Sequence, residues 1–246
     1  MYKISAISYL NTVPFIYGLM NTQIKEIIDL NLDYPSNCAD HLINGSVDLA
    51  LVPVSIIPFL NESNIISNYC IGADGPVETV CLYSEIPIQN IKKISLDYQS
   101  KTSVALLKLL LKDFWCLSPK LIMAEPDFEK NIKGAHAALV IGDRAFELNK
   151  KYQYIYDLSS SWKEMTGLPF VFATWVSVRK LPLDFISQFN RALALGLSNI
   201  DNALKNNAYF NFKFKNPREY LNSKISYTLD EKKMDGMNLF LKKISE

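Results

Sequence analysis

Gly45-Ser-Val-Asp-Leu-Ala-Leu-Val-Pro-Val-Ser55 and Gly134-Ala-His-Ala-Ala-Leu-Val-Ile-Gly-Asp-Arg144 pass through the same events in the same order: a helix end, a glycine, a short apolar run, a turn and a new helix. Glycine tolerates the left-handed backbone with which helices close. The apolar runs at 48–52 and 137–141 are continuous rather than alternating, as expected of strands covered on both faces. Set in the two halves of the chain, this echo points to two similar α/β lobes rather than one doubly wound sheet.

The flanking sequence supplies the remaining elements. Residues 3–8 read as a strand, followed by a turn at Tyr9-Leu10-Asn11-Thr12 and a helix with Pro14 near its start, where a missing N–H costs nothing. Ser36 or Asn37 is placed to cap a helix through Ile43, and another helical run opens at Val54. Strands are expected at 78–84, 93–97, 121–124, 154–158 and 169–178. Helices are expected at 104–115, behind cap candidates Ser100 to Ser103, and at 127–133, 159–167 and 183–200. Thr228-Leu-Asp-Glu231 reads as a capping box for a last helix whose Met234, Met237 and Leu241 face the core. Residues 1–80 with 176–246 then form one lobe and 85–170 the other, with crossing strands near 78–84 and 170–178.

A chain of 246 residues with 49% hydrophobic and 12% aromatic residues can bury a sizeable core, which excludes a disordered or low-complexity protein. Twenty-six Lys and Arg stand against 25 Asp and Glu, so the net charge of +1 gives no reason to expect nucleic acid or an acidic membrane as partner. Cys38, Cys70, Cys81 and Cys116 form no C-x-x-C pair and meet only two histidines; they are expected to be buried, reduced thiols, and no metal site is expected. The N-terminus reads as a strand rather than an export leader, and the apolar stretch 49–60 is broken by Pro53, Ser55 and Pro58. The expectation is a cytoplasmic protein without a membrane partner. P-loop, G-x-G-x-x-G, G-x-S-x-G and H-E-x-x-H patterns are absent, and His41 and His136 read as structural.

What remains is a series of short polar clusters where strands give way to helices: Asn11-Thr12, Ser55, Ser100 with Thr102-Ser103, and Gly142-Asp143. In open α/β sheets ligands bind beyond the carboxyl ends of strands, where helix N-termini present N–H groups and partial positive charge. Each of these residues is also a reasonable helix cap; together they favour a small anionic ligand held by amide and hydroxyl donors, since the chain has four arginines in all.

Ser8-Tyr-Leu-Asn-Thr-Val-Pro-Phe15, Val52-Pro-Val-Ser55, Asp97-Tyr-Gln-Ser-Lys-Thr-Ser-Val-Ala-Leu-Leu107, Ile141-Gly-Asp143 and the segment from Asp157 to Val176 closely resemble the menaquinone-biosynthesis chorismate dehydratases of the futalosine pathway. The resemblance covers about the first 180 residues, with its motifs in order; the chain beyond Lys180 carries none of them. It implies a type II periplasmic-binding-protein-like fold, two α/β lobes with a ligand cleft between them. It further implies a carbon–oxygen lyase that needs neither cofactor nor metal and converts chorismate, a small dicarboxylate, to 3-[(1-carboxyvinyl)oxy]benzoate. Among the matching positions, Asn11 and Asp143 are the catalytic candidates and Thr12, Ser55, Thr102, Ser103 and Gly142 the substrate-binding ones, with Thr79 or Ser84 on the crossing strand completing the hydroxyl set. The resemblance implies a serine near Thr79, and this departure from the family's pattern leaves the Thr79 assignment open. Asp143 is either the base or a helix cap, and the substrate's own enolpyruvyl carboxylate is the other proton acceptor. Two rivals share the fold. One is the sister enzyme that makes 1,4-dihydroxy-6-naphthoate, expected to carry histidine where this chain has Gly142; the other is a non-catalytic solute-binding protein.

Overall fold

The computed structural model describes residues 1–207 and 216–246. The first sheet starts with β1 (Tyr2–Ile7), β2 (Ile28–Asp33), β3 (Leu49–Pro53) and β4 (Asn64–Ala73). The second holds β5 (Val80–Ser84), β6 (Lys93–Leu96), β7 (Lys120–Met123), β8 (His136–Ile141) and β9 (Tyr154–Asp157). The chain then returns to the first sheet as β10 (Phe170–Ser177), and β11 (Ser226–Thr228) completes its edge. Strand orders are β2-β1-β3-β10-β4-β11 and β7-β6-β8-β5-β9.

Both sheets repeat one plan. A parallel triplet, β2-β1-β3 or β7-β6-β8, is followed by an antiparallel strand, β10 or β5, and then by a fourth strand of the set, β4 or β9. The antiparallel member arrives each time by a crossing from the other sheet, so 80–84 belongs to the second sheet and 170–177 to the first. The echo in the sequence maps onto β3 and β8, the third members of the two triplets, and the glycines ahead of them have positive φ, 72° at Gly45 and 55° at Gly134.

The helices are α1 (Val13–Met20), α2 (Pro35–Ile43), α3 (Lys101–Asp113), α4 (Ala145–Leu148), α5 (Leu158–Thr166), α6 (Leu183–Leu197), α7 (Ile200–Lys205), α8 (Pro217–Ser223) and α9 (Glu231–Ser245). β3 and β10 are buried along their whole length, which explains their unbroken apolar sequence. Trp162 of α5, Phe170 of β10 and Phe240 of α9 meet edge to face, with ring centroids 5.0 to 6.0 Å apart. The C-terminal helix thus packs on the crossing strand. Among the described residues no helix is long and apolar enough to cross a membrane.

Several local expectations are corrected. Neither Ser36 nor Asn37 caps α2: Tyr34 holds the cap position, Pro35 follows, and Asp33 Oδ1 accepts from the Tyr34 N–H and from Asn37 Nδ2. The last helix is capped by Asp230, whose Oδ1 accepts from the Lys233 N–H at 2.9 Å, while Thr228 lies in β11. The run from Val54 is a 3-10 helix, Val54–Phe59, because Pro58 lacks the N–H an α-helix would use. Residues 127–133 form a short 3-10 turn, Phe128–Asn131. Cys38, Cys70 and Cys81 are buried as expected, but Cys116 is exposed.

α1 and α6 cross through a pair of glycines. A Cβ on Gly196 would lie 1.8 Å from the Pro14 carbonyl oxygen, and one on Gly18 would lie 1.9 Å from that of Ala192. Backbone cannot yield as a side chain does. Gly196→Ala is expected to lower the unfolding free energy by at least about 3 kcal/mol, read from urea midpoints; a change under about 1 kcal/mol would contradict this packing.

Candidate functional site

The carboxyl ends of both parallel triplets open toward the gap between the sheets. β1 delivers Tyr9 to Thr12, β3 delivers Ser55, β6 leads through Asp97 and Gln99 to the start of α3, and β8 delivers Gly142 and Asp143. Between them lies a narrow hollow with about 500 Å³ of free space, its open mouth included. Tyr9, Asn11, Thr79, Ser100 and Ser103 are its polar lining, set among Ile7, Pro35, Pro53, Ile71, Val77, Val80, Ile141, Phe172, Ala173 and the backbone of Gly142. An apolar pocket with a few convergent polar groups is the usual form of a small-molecule site.

Asn11 sits in the 3-10 turn after β1, where its Oδ1 accepts from Thr12 Oγ1 at 3.2 Å and its carbonyl from the Tyr227 hydroxyl at 2.9 Å. Thr12 is fully buried and lies behind Asn11 rather than on the hollow. Ser100 caps α3, accepting the Ser103 N–H at 3.1 Å and donating to Ser103 Oγ at 2.9 Å. Both hydroxyls therefore stand at the positive end of a 13-residue helix. Thr102 Oγ1 donates to Ser55 Oγ and accepts the Ser55 N–H, each at 3.2 Å, so these two residues bond to each other where the sheets meet. Thr79 lies on the hollow, with Oγ1 2.8 Å from the Tyr220 hydroxyl. Ser84 is at the far end of β5, closing a turn with Ile86, and is not brought to the hollow. His41 bonds Ser5 and His136 bonds Ser95; neither lines it.

Gly142 takes φ 67°, and a Cβ there would meet the Tyr9 ring at 2.8 Å. Its N–H donates to the Thr79 carbonyl at 2.9 Å. Asp143 faces across to the first sheet, both carboxylate oxygens accepting the Leu10 N–H at 3.3 Å. Burial pushes its pKa up to about 6, and the Leu10 N–H pulls against that. Arg144 is engaged at 2.6 Å by Asp97 and by Glu129, and also donates to Gln99, which accepts the Tyr9 hydroxyl. This network links the sheets beside the hollow. Tyr9, Asp97, Gln99, Arg144 and Tyr220 were not singled out from sequence. Asp97 and Gln99 stood inside a quoted motif, whereas nothing around Tyr220 signals its place. Among the described residues no cluster of three or more His, Cys, Asp or Glu is placed to hold a metal ion.

Solved structures place this architecture. A Candida albicans protein described as having the generic periplasmic binding protein fold superposes with a TM-score of 0.62 at 11% identity, over 100% of this chain and 94% of that one. An ABC transporter protein from Parabacteroides distasonis gives 0.67 at 17%, over 100% and 92%. An Archaeoglobus fulgidus protein gives 0.75 at 14%, over 99% and 95%. At such identities the likeness is one of fold: this is a two-lobed protein of the periplasmic-binding-protein type. The family model described as menaquinone biosynthesis matches residues 2–246, and the chain belongs to that family. Curated proteins similar to this chain include two chorismate dehydratases. That of Thermus thermophilus is 30% identical over 159 residues, 57% of this chain and 58% of that one; that of Campylobacter jejuni is 25% identical over 244 residues, 96% and 94%.

The Asp143 carboxyl has a pKa of about 6 when folded, against an ordinary value of 3.8, so folding disfavours its charged form. Its contribution to stability is greatest below 3.8, falls as pH rises through that window, and is level above about 6. Asp143→Asn keeps an acceptor for Leu10 and loses the titration. The stability of this variant relative to wild type is expected to climb from pH 4 to pH 6 and then hold. Parallel melting curves across that range would contradict it.

Proposed function

We propose that this protein is a chorismate dehydratase, a cofactor-independent hydro-lyase that converts chorismate to 3-[(1-carboxyvinyl)oxy]benzoate in the futalosine route to menaquinone. One observation carries the reading: Asn11 from one sheet and Ser100 and Ser103 from the other face a single hollow whose lining, among the described residues, contains no carboxylate, histidine, lysine or arginine. Such a lining suits a substrate that brings its own charge and its own driving force. The reading takes 1–80 with 176–246 and 85–170 as the two lobes, in keeping with the two sheets, and places the protein in the cytoplasm.

The reaction is a 1,2-elimination. A proton leaves the ring carbon bearing the enolpyruvyl ether, the electron pair spreads into the ring carboxylate, and the C–O bond to the adjacent hydroxyl breaks as the ring becomes aromatic. In this reading the ring carboxylate lies at the start of α3, where Ser100, Ser103 and the helix dipole stabilise the growing charge. Asn11 and Thr79 donate to the departing hydroxyl. Among the described residues the lining offers no side-chain base, and Asp143 is turned to the Leu10 N–H, which supports transfer of the proton to the substrate's own enolpyruvyl carboxylate. The lobes closed around the ring exclude water from the reacting carbons. The sister chemistry, expected to start from a histidine in place of Gly142, is disfavoured because the Tyr9 ring fills the space a side chain would need.

Purified protein mixed with chorismate alone is expected to give the aromatic ultraviolet spectrum and a product lighter by one water. Binding without conversion would favour the solute-binding reading instead. Asn11→Ala is expected to lower kcat on the order of 100- to 1,000-fold, the usual effect of removing a donor to developing charge. Full activity in that variant would sink the assigned role.

A further inference from the structure

Asp157 ends β9 and caps α5, and its register partner on β5 is Cys81. That places its side chain beside the first crossing, where the chain enters the second sheet. Oδ1 accepts the Ser160 N–H at 3.0 Å, as a helix cap does. Oδ2 turns the other way and accepts two successive backbone N–H groups, those of Val77 at 2.9 Å and Glu78 at 2.7 Å. Capping the helix needs the first of these bonds; the other two belong to the crossing.

The crossing has a conformation that must be held. Glu78 takes φ 65°, a left-handed backbone that a residue with a Cβ keeps only where its surroundings impose it. Successive N–H groups point to one negatively charged acceptor where the chain bends through such a residue, so the carboxylate and the bend match. The neighbouring carbonyls are tied as well: that of Glu78 accepts from Asn149 Nδ2 at 3.2 Å, and that of Thr79 from the Gly142 N–H at 2.9 Å. Thr79 follows the bend directly and, with Val77 and Val80, lines the hollow. Its Oγ1 meets the Tyr220 hydroxyl, but where its backbone lies is decided by the turn at Glu78.

We propose that Asp157 is a positioning residue: by gathering the Val77 and Glu78 N–H groups it holds the left-handed turn that seats Thr79 on the hollow, and through Thr79 it aligns the hydroxyl that meets the departing group of the substrate. The substrate part of this rests on the dehydratase reading; the hold on the turn does not.

Asp157→Ser in the full chain separates the two jobs of the carboxylate. The serine hydroxyl still accepts the Ser160 N–H and keeps α5 capped, but it has no second oxygen for Val77 and Glu78. With chorismate, kcat is expected to fall on the order of 10- to 100-fold while KM stays within about threefold. Glu78→Gly added to that variant is expected to recover at least about fivefold of the loss, since glycine takes a positive φ unaided. A kcat within about threefold of wild type in Asp157→Ser, or a loss that the glycine leaves unchanged or deepens, would overturn the proposal. Hydrogen exchange at the Glu78 amide needs no substrate. In wild type it is expected to be about 100-fold or more slower than in an unstructured chain, and to quicken about tenfold or more in Asp157→Ser. If the amide behaves so while wild type leaves chorismate unchanged, the dehydratase reading fails and the hold on the turn stands. A Glu78 amide unprotected in wild type, or indifferent to the substitution, removes the positioning role whatever the turnover, and the wild-type half of that measurement decides even if the variant does not fold.

Discussion

β10 is buried from Phe170 to Ser177 and runs antiparallel between β3 and β4. An interior strand must find hydrogen-bond partners on both edges and apolar cover on both faces, because unpaired backbone groups away from water are costly. The chain satisfies this by leaving the first sheet after Ala73, building the second, and coming back to fill the slot. β5 fills the matching slot in the second sheet. Neither sheet is complete without a strand donated across the gap, and the two crossings hold the carboxyl ends of the triplets toward each other. The hollow follows from that arrangement.

Its chemistry follows from what was kept out of it. Arg144 is beside the site but is engaged by Asp97, Glu129 and Gln99, and Asp143 is turned to a backbone N–H. The groups left on the lining are neutral donors: an amide, a phenol and three aliphatic hydroxyls. Neutral donors fixed at a helix start can stabilise developing negative charge without binding the ground state as tightly as a buried guanidinium would.

Much of this was legible in the sequence, and the limits have physical causes. The β3 and β8 echo was readable because doubly covered strands need unbroken apolar runs and a glycine before them. β2 and β4 have no counterpart in the sequence reading: β2 is an edge strand of mixed exposure, and Asn64–Ala73 mixes polar and apolar residues around a β-bulge. Of the candidate residues, Asn11, Ser103 and Gly142, read from strand and helix ends, and Thr79, implied by the family resemblance, line the hollow. Ser55 and Thr102 also meet, Thr102 donating its hydroxyl to Ser55 Oγ and accepting the Ser55 N–H. Ser84 stands apart because a strand puts its two ends far from each other, and only the Val80 end of β5 reaches the hollow. Tyr220 was invisible for a different reason: its contact with Thr79 spans 141 residues of chain, which no local pattern encodes.

The touch between Gly142 and the Tyr9 ring also bears on how such proteins can diverge. Any side chain at 142 would collide with an aromatic ring held in place by Gln99. A side chain at 142 is compatible with the fold only if the Tyr9 ring shifts or is replaced by something smaller, so the two positions are sterically tied to each other.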